Sequence, residues 1–220
     1  RLSLYVRCLL SYIWSNINSP TGASMPASSV SPVPTPHARD RLLEAASALF
    51  ASHGYQAIGL RDLASHLGLH AGSLYHHIES KQGLLFELIE SSLTDLLYET
   101  RQCVKGARTT SERLPRFVQA FVTYSQANPD KLVLLTREAM NLNTEQLLQI
   151  EQLKTQYSGL LSDIVAAECG LPALRARSIA HAVLGLLCGQ AQWGSVITAR
   201  DQLVTFVQGI VGTGKTAAHL

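Results

Sequence analysis

The sequence predicts an all-α protein of three short helices followed by six longer ones. From Arg39 onward apolar residues recur at intervals near 3.6, and the strict alternation of a half-buried strand is absent. Glycines and prolines close the periodic runs in turn. A tight turn at Gly68 separates two short runs, the form of a helix-turn-helix.

In the first helix Leu42, Leu43, Ala46, Leu49 and Phe50 mark one face, and His53-Gly54 ends it, glycine being suited to a left-handed stop. Leu60–Leu67 is the second helix, closed by Gly68, and Ala71–Ile78 the third. A leucine-rich fourth helix spans Gln82 to Val104. The fifth, Ser111–Ala127, ends at Asn128-Pro129, because the residue before a proline avoids helical geometry. Asp130–Met140 is the sixth. In the seventh, Glu145–Cys169, Ile150, Leu153, Tyr157, Leu160 and Ile164 form a seam at steps of 3 and 4, broken by Gly170-Leu171-Pro172. Ala173–Trp193 and Asp201–Val211 complete the set.

The chain has 220 residues, 46% hydrophobic and 15% charged, which excludes a disordered chain. Its net charge of +2 does not argue for nucleic acid by itself. Cys8, Cys103, Cys169 and Cys188 are scattered and form no Cys-x-x-Cys, so buried reduced thiols are expected and no metal site. Residues 1–36 are expected to be a disordered or non-native extension. Arg1–Trp14 is apolar but broken by Arg7, too short to span a bilayer and without a clear cleavage site after it. The first methionine is Met25, and four prolines lie in residues 26–36.

The stretch Tyr55–Leu85 carries the functional reading. Leu60, Leu63, Ala64 and Leu67 give the second helix an apolar face, and Ala64 is small where two helices cross closely. Leu69 is expected to face inward. Leu74 and Ile78 tie the third helix to the core, leaving Gly72, Ser73, Tyr75, His76 and His77 outward. A helix presenting a gap, a hydroxyl, a phenol and an imidazole suits contact with a DNA groove.

Gly54-Tyr55, Arg61-Asp62-Leu63-Ala64, Gly68-Leu69, Gly72-Ser73-Leu74-Tyr75-His76-His77-Ile78, Lys81 and Leu84 closely resemble the N-terminal domain of the TetR family of bacterial regulators. The resemblance covers about 50 residues. It implies a helix-turn-helix DNA-binding domain over 37–82, a six-helix ligand-binding and dimerisation domain over 83–213, and a tail over 214–220. By position it implies phosphate contacts from Tyr75 and Lys81, the latter aided by a helix N-terminus. It implies base-edge contacts from Gly72, Ser73 and His76, and a backbone or base contact from Arg61. Gly59 and His70 stand where the family has Ser or Thr. Glycine is a tolerable N-cap and histidine a poor one, so no side-chain phosphate contact is expected at 59, while His70 stays among the candidates.

Three further patterns carry less. Gly209–Thr216 matches the P-loop form G-x-x-x-x-G-K-T, and a nucleotide-binding enzyme is the alternative it offers. A helical pattern precedes it where a strand is needed, so the reading is a chance match, with no catalytic residue and no cofactor. His66 and His70, split by Gly68, do not share a helix face and are not a metal pair. Gly185-x-x-x-Gly189 permits close helix approach and, with the resemblance, points to a homodimer interface.

Six helices around an apolar interior suit a small-molecule cavity. Candidate lining residues are Phe117, Phe121, Tyr124, Met140, Tyr157, Leu161, Val183 and Trp193. The expected partners are operator DNA, a largely apolar effector such as an acyl-CoA, and a second copy of the chain, in the cytoplasm and with no membrane. Repression relieved by the effector is the default mode. His66, His70, His76 and His77 lie in the helix-turn-helix region, and imidazolium adds attraction for phosphate. Operator affinity is therefore expected to rise as pH falls from 8 to 6 at fixed salt; an unchanged dissociation constant removes histidine from the interface.

Overall fold

The computed structural model describes residues 36–75, 78–192 and 200–216. The expected extension, apart from Pro36, lies outside them, as do His76, His77 and Trp193. Among the described residues there are nine α-helices and no strand. They are α1 (Pro36–His53), α2 (Leu60–His66), α3 (Ala71–Leu74), α4 (Lys81–Lys105), α5 (Arg113–Ala127), α6 (Pro129–Val133), α7 (Thr144–Cys169), α8 (Ala173–Gln192) and α9 (Arg200–Thr216). A 3-10 turn, Thr110–Glu112, leads into α5. A π turn, Leu134–Glu138, and a 3-10 turn, Ala139–Asn141, continue from α6.

Local chemistry sets most of the boundaries. Pro36 opens α1, where its missing N–H is no loss. Gly54 ends α1 at φ +86°, its amide donating to the Phe50 carbonyl at 3.0 Å. After α2, Gly68 sits at φ +67°, with Leu69 N donating to Ala64 O at 2.8 Å and Gly68 N to Ser65 O at 3.1 Å. This is a Schellman closure. It turns Leu69 outward to 42% exposure, against the inward placement expected. Asn143 caps α7 by accepting from Gln146 N at 2.9 Å, and Gly170 at φ +65° stops it.

Helix α4 is the axis of the fold. Leu84, Leu85 and Leu88 are buried on its first half, and it packs on α1. Leu93, Leu96 and Leu97 are buried on its second half, which packs on α5 and α7. Two hydroxyls fasten that half. Tyr124 Oη donates to Ser92 O at 2.7 Å, and Tyr157 Oη lies 3.3 Å from Thr100 Oγ1. Burial pushes both phenols far above their usual pKa, so both stay protonated.

Other expectations need correction. The third helix is shorter than Ala71–Ile78: α3 ends at Leu74, although Ile78 N still donates to Leu74 O at 3.1 Å. The first helix, at 18 residues, is not short. Along α7 the buried positions are Ile150, Tyr157, Leu161, Ile164 and Val165, while Leu153 and Leu160 are half-buried. Cys103, Cys169 and Cys188 are half-buried. The P-loop-like run lies within α9, which continues to Thr216. A helix there offers no cradle of loop amides, and no strand precedes it among the described residues. The nucleotide-binding alternative is overturned, and the tail expected from residue 214 begins in a helix.

Gly170→Ala forces a side chain into left-handed geometry, although an added Cβ meets nothing within 4 Å. The expected loss is about 1 kcal/mol of stability, read as a lower urea midpoint at unchanged slope.

Candidate DNA interface and effector cavity

The helix-turn-helix is anchored from beneath. Leu63, Leu74 and Ile78 are buried, and Ala64 is buried where α2 and α3 pack together. With these turned in, the opposite side of α3 is left to solvent. Gly72 is exposed, Ser73 is half-buried and the Tyr75 ring is 61% exposed. A Cβ added at Gly72 would meet no atom within 4 Å, so the backbone there is open to close approach. Arg61 and His70 are also exposed, so these five of the expected DNA-facing residues are at least partly open. His76 lies outside the described residues.

Lys81 makes a contact within the chain that the resemblance does not imply. Its ammonium lies 4.0 Å from the Tyr55 ring centre and 5.9 Å from that of Phe50. Phe50 and Tyr55 meet edge to face at 5.3 Å, so the lysine crowns an aromatic pair. Burial lowers its pKa, with the Asp62 carboxylate pulling the other way. The Lys81 side chain thus ties the start of α4 to the end of α1, and its position at the N-terminus of α4 is suited to phosphate as well. Ser80 caps that terminus, accepting from Gly83 N at 2.9 Å.

The two departures from the family pattern behave differently. Gly59 has extended geometry and donates its amide to Asp62 Oδ2 at 2.7 Å, half of a capping box without a capping side chain. His70 is also extended, at φ −73° and ψ 141°, and its side chain makes no cap.

In the second half, a cavity of about 470 Å³ opens between α4, α5, α7, α8 and the π turn. Leu93, Leu96, Phe121, Leu135 and Leu184 give it apolar walls. Lys154, Glu151, His181, Thr136, Ser158 and Cys188 add polar groups, with Lys154 Nζ and Glu151 Oε1 paired at 2.9 Å. Burial pushes the Cys188 thiol up, and Lys154 opposes that. Of the expected lining residues, Phe121 and Tyr157 do line it. Phe117, Tyr124, Leu161 and Val183 are buried in the core, Phe117 against the Tyr157 ring at 5.0 Å. Met140 stands at the surface, 85% exposed, because the 3-10 turn directs it away from the core. The polar wall residues were not legible in the sequence, because an apolar seam gives no sign of which polar neighbours share its cavity.

A polar clasp joins the two halves, formed by Glu138 at the end of the π turn and Asn141 just after it. Glu138 Oε2 accepts from Tyr55 N at 3.3 Å and from Asn141 Nδ2 at 2.8 Å. Asn141 Oδ1 accepts from Gln56 Nε2 at 2.7 Å, and Asn141 O from Gln82 Nε2 at 3.1 Å. No sequence motif signalled it. On α8, an added Cβ at Gly185 or Gly189 meets nothing within 4 Å, so among the described residues no close packing uses them. Leu174 on α8 and Phe206 on α9 are exposed.

Residues 42–88 match the family model for bacterial regulatory proteins of the tetR family, and residues 107–196 match a tetracyclin repressor-like C-terminal domain. The chain is similar to the transcriptional activator FasR of Mycolicibacterium smegmatis, 25% identical over 73% of this chain and 74% of that protein. It is 34% identical to the transcriptional repressor KstR2 of Mycobacterium tuberculosis over 49% of this chain and 54% of that protein. The solved structure of a TetR family regulator, PfmR of Thermus thermophilus, superposes with a TM-score of 0.69. It is 27% identical, and the match covers 79% of this chain and 98% of that one.

His70→Ser supplies the missing cap acceptor on α3. The expected gain is about 0.5–1 kcal/mol in urea unfolding; no gain means that the α3 amides are already satisfied.

Proposed function

Because the chain belongs to the TetR family of bacterial regulatory proteins, we propose that it acts as a homodimeric repressor released from its operator by a small effector. The observation that carries the DNA-binding half is the exposed face of Gly72, Ser73 and Tyr75, held out by the buried Leu74 and Ile78. Gly72 lets the backbone approach base edges, Ser73 and His76 read them, and the Tyr75 hydroxyl donates to a phosphate oxygen. Arg61 and His70 flank this face, and the α4 N-terminus adds its amides and dipole at Lys81. A dimer formed through the outer faces of α8 and α9, with Gly185 and Gly189 at the contact, places two such faces on one side of the duplex. Their separation must match one helical turn, roughly 34–36 Å.

The cavity supports an effector with an apolar body and a polar or anionic end. The body lies on Leu93, Leu96, Phe121 and Leu135, and the polar end meets Lys154 and His181. An acyl-CoA has both parts. Such a ligand acts only if it prefers one placement of the DNA-reading units over the other. The protein is read as a regulator without enzymatic activity, working in the cytoplasm beside the chromosome.

The test is anisotropy with a duplex selected from a random pool, at fixed salt and with random competitor. Tyr75→Phe is expected to lose affinity tenfold or more, as a hydrogen bond to a charged group is worth about 1.5–3 kcal/mol, with an unchanged melting midpoint. Wild-type binding that random DNA competes away, even after refolding to strip bound ligand, contradicts the regulator reading. Addition of a long-chain acyl-CoA is expected to release the operator, and the matching alcohol to do so poorly.

A further inference from the structure

A second cleft, of about 540 Å³, lies where α1, α4 and the α5–α6 corner meet. It shares no lining residue with the effector cavity, and none of the expected DNA contacts lines it. Its size falls within the about 300–1,000 Å³ of small-molecule sites. Leu43 and Leu88 give it an apolar floor, and Asp40, Glu44 and Asp130 stand exposed around it. Lys131 is the cation of the lining, and its ammonium lies 3.6 Å from Asp95, which is not part of the cleft. We propose that this cleft is a second small-molecule site, taking a linear aliphatic polyamine through Asp40, Glu44, Asp130 and Ser47.

Ser47 points to a ligand independently of the carboxylates. It lines the cleft and is 7% exposed, yet its Oγ has no hydrogen-bond partner in the protein. A serine within a helix can return its hydroxyl to the carbonyl four residues back. Ser52, Ser125 and Ser178 do so, at 2.7, 2.7 and 3.2 Å. Ser47 does not, and a buried hydroxyl left unpaired costs stability. An N–H from a ligand in the cleft supplies the partner.

The carboxylates select the kind of ligand. Asp40 and Glu44 are four residues apart on α1, so their Cβ atoms stand about 5–6 Å apart on one helix face. That is the interval between neighbouring nitrogens of a linear polyamine. Asp130 lines the same cleft from the first turn of α6. Among the described residues no three acidic, histidine or cysteine side chains are grouped closely enough to hold a metal ion. The carboxylates are therefore too widely spread to converge on one ion, and a chain of spaced ammonium groups suits them. Leu43 and Leu88 meet the methylenes between those groups. An anionic ligand is repelled here, so the two cavities select opposite charge.

The experiment is calorimetric titration of spermidine into the full chain, with neither DNA nor effector present, at physiological ionic strength. Melting midpoints are read alongside. The wild type is expected to bind one equivalent saturably and to melt higher with spermidine, as mass action requires. The double variant Asp40→Asn, Glu44→Gln is expected to bind at least tenfold more weakly, and Asp130→Asn at least threefold. Asp163→Asn, at an exposed carboxylate on α7 outside the lining, is expected to bind as the wild type does. Ser47→Ala separates a ligand contact from a structural role. With no hydrogen bond to lose, the free protein is expected to keep or raise its melting midpoint, while spermidine affinity falls at least threefold. Unchanged spermidine affinity in Ser47→Ala overturns the proposal. So does binding that survives the double substitution, or a wild type that shows no saturable binding. Magnesium chloride that displaces spermidine at equal concentration marks plain screening of acidic surface and overturns it as well.

Discussion

The burial of α4 along both halves of its length is the constraint on which the rest depends. One rigid helix supplies leucines to the core beneath the helix-turn-helix and to the core around the cavity. Each buried leucine contributes about 1.5–3 kcal/mol, whereas an exposed ion pair such as Arg39–Glu87 contributes about 0–1 kcal/mol. Apolar contact therefore sets the placement of the helix, and polar contacts adjust what is attached to it. The Tyr124 and Tyr157 hydroxyls fix the sensing half on the helix. The Lys81–Tyr55 contact and the Glu138–Asn141 clasp fix the reading half. The first set is buried and the second partly solvated, so the second is the set that yields first.

Features written in local chemistry were legible in the sequence. Gly54, Gly68 and Gly170 each stop a helix at positive φ, and Asn128-Pro129 separates α5 from α6. Leu74 and Ile78 anchor the helix-turn-helix as their spacing predicted. Features set by distant partners were not legible. The lysine pattern gives no sign of the aromatic pair over which the Lys81 side chain lies, its ammonium 4.0 Å from the Tyr55 ring. Met140 has the apolar character of a lining residue, yet its position on a 3-10 turn sends it outward. Glu138 and Asn141 read as ordinary polar surface, since their partners Tyr55 and Gln56 lie some eighty residues earlier.

Similarity to both an activator and a repressor shows what this fold leaves open. The fold supplies an exposed reading face and a cavity behind it, and neither fixes the sign of regulation. Whether the occupied site blocks or recruits polymerase depends on where the operator lies.

With its histidines neutral, the reading head carries no net charge. Over residues 37–82, Arg39, Arg41, Arg61 and Lys81 are matched by Asp40, Glu44, Asp62 and Glu79. Lys81 rests over Tyr55, and Arg39 is engaged by Glu87 at 2.6 Å. Such a head displaces few counterions and holds arbitrary duplex weakly. A genome offers roughly 10⁶–10⁹ decoy sites, and a strongly basic regulator spends most of its time on them. A head without net charge is drawn to such decoys less than a strongly basic one, so its hold on a duplex depends more on groove contacts than on charge.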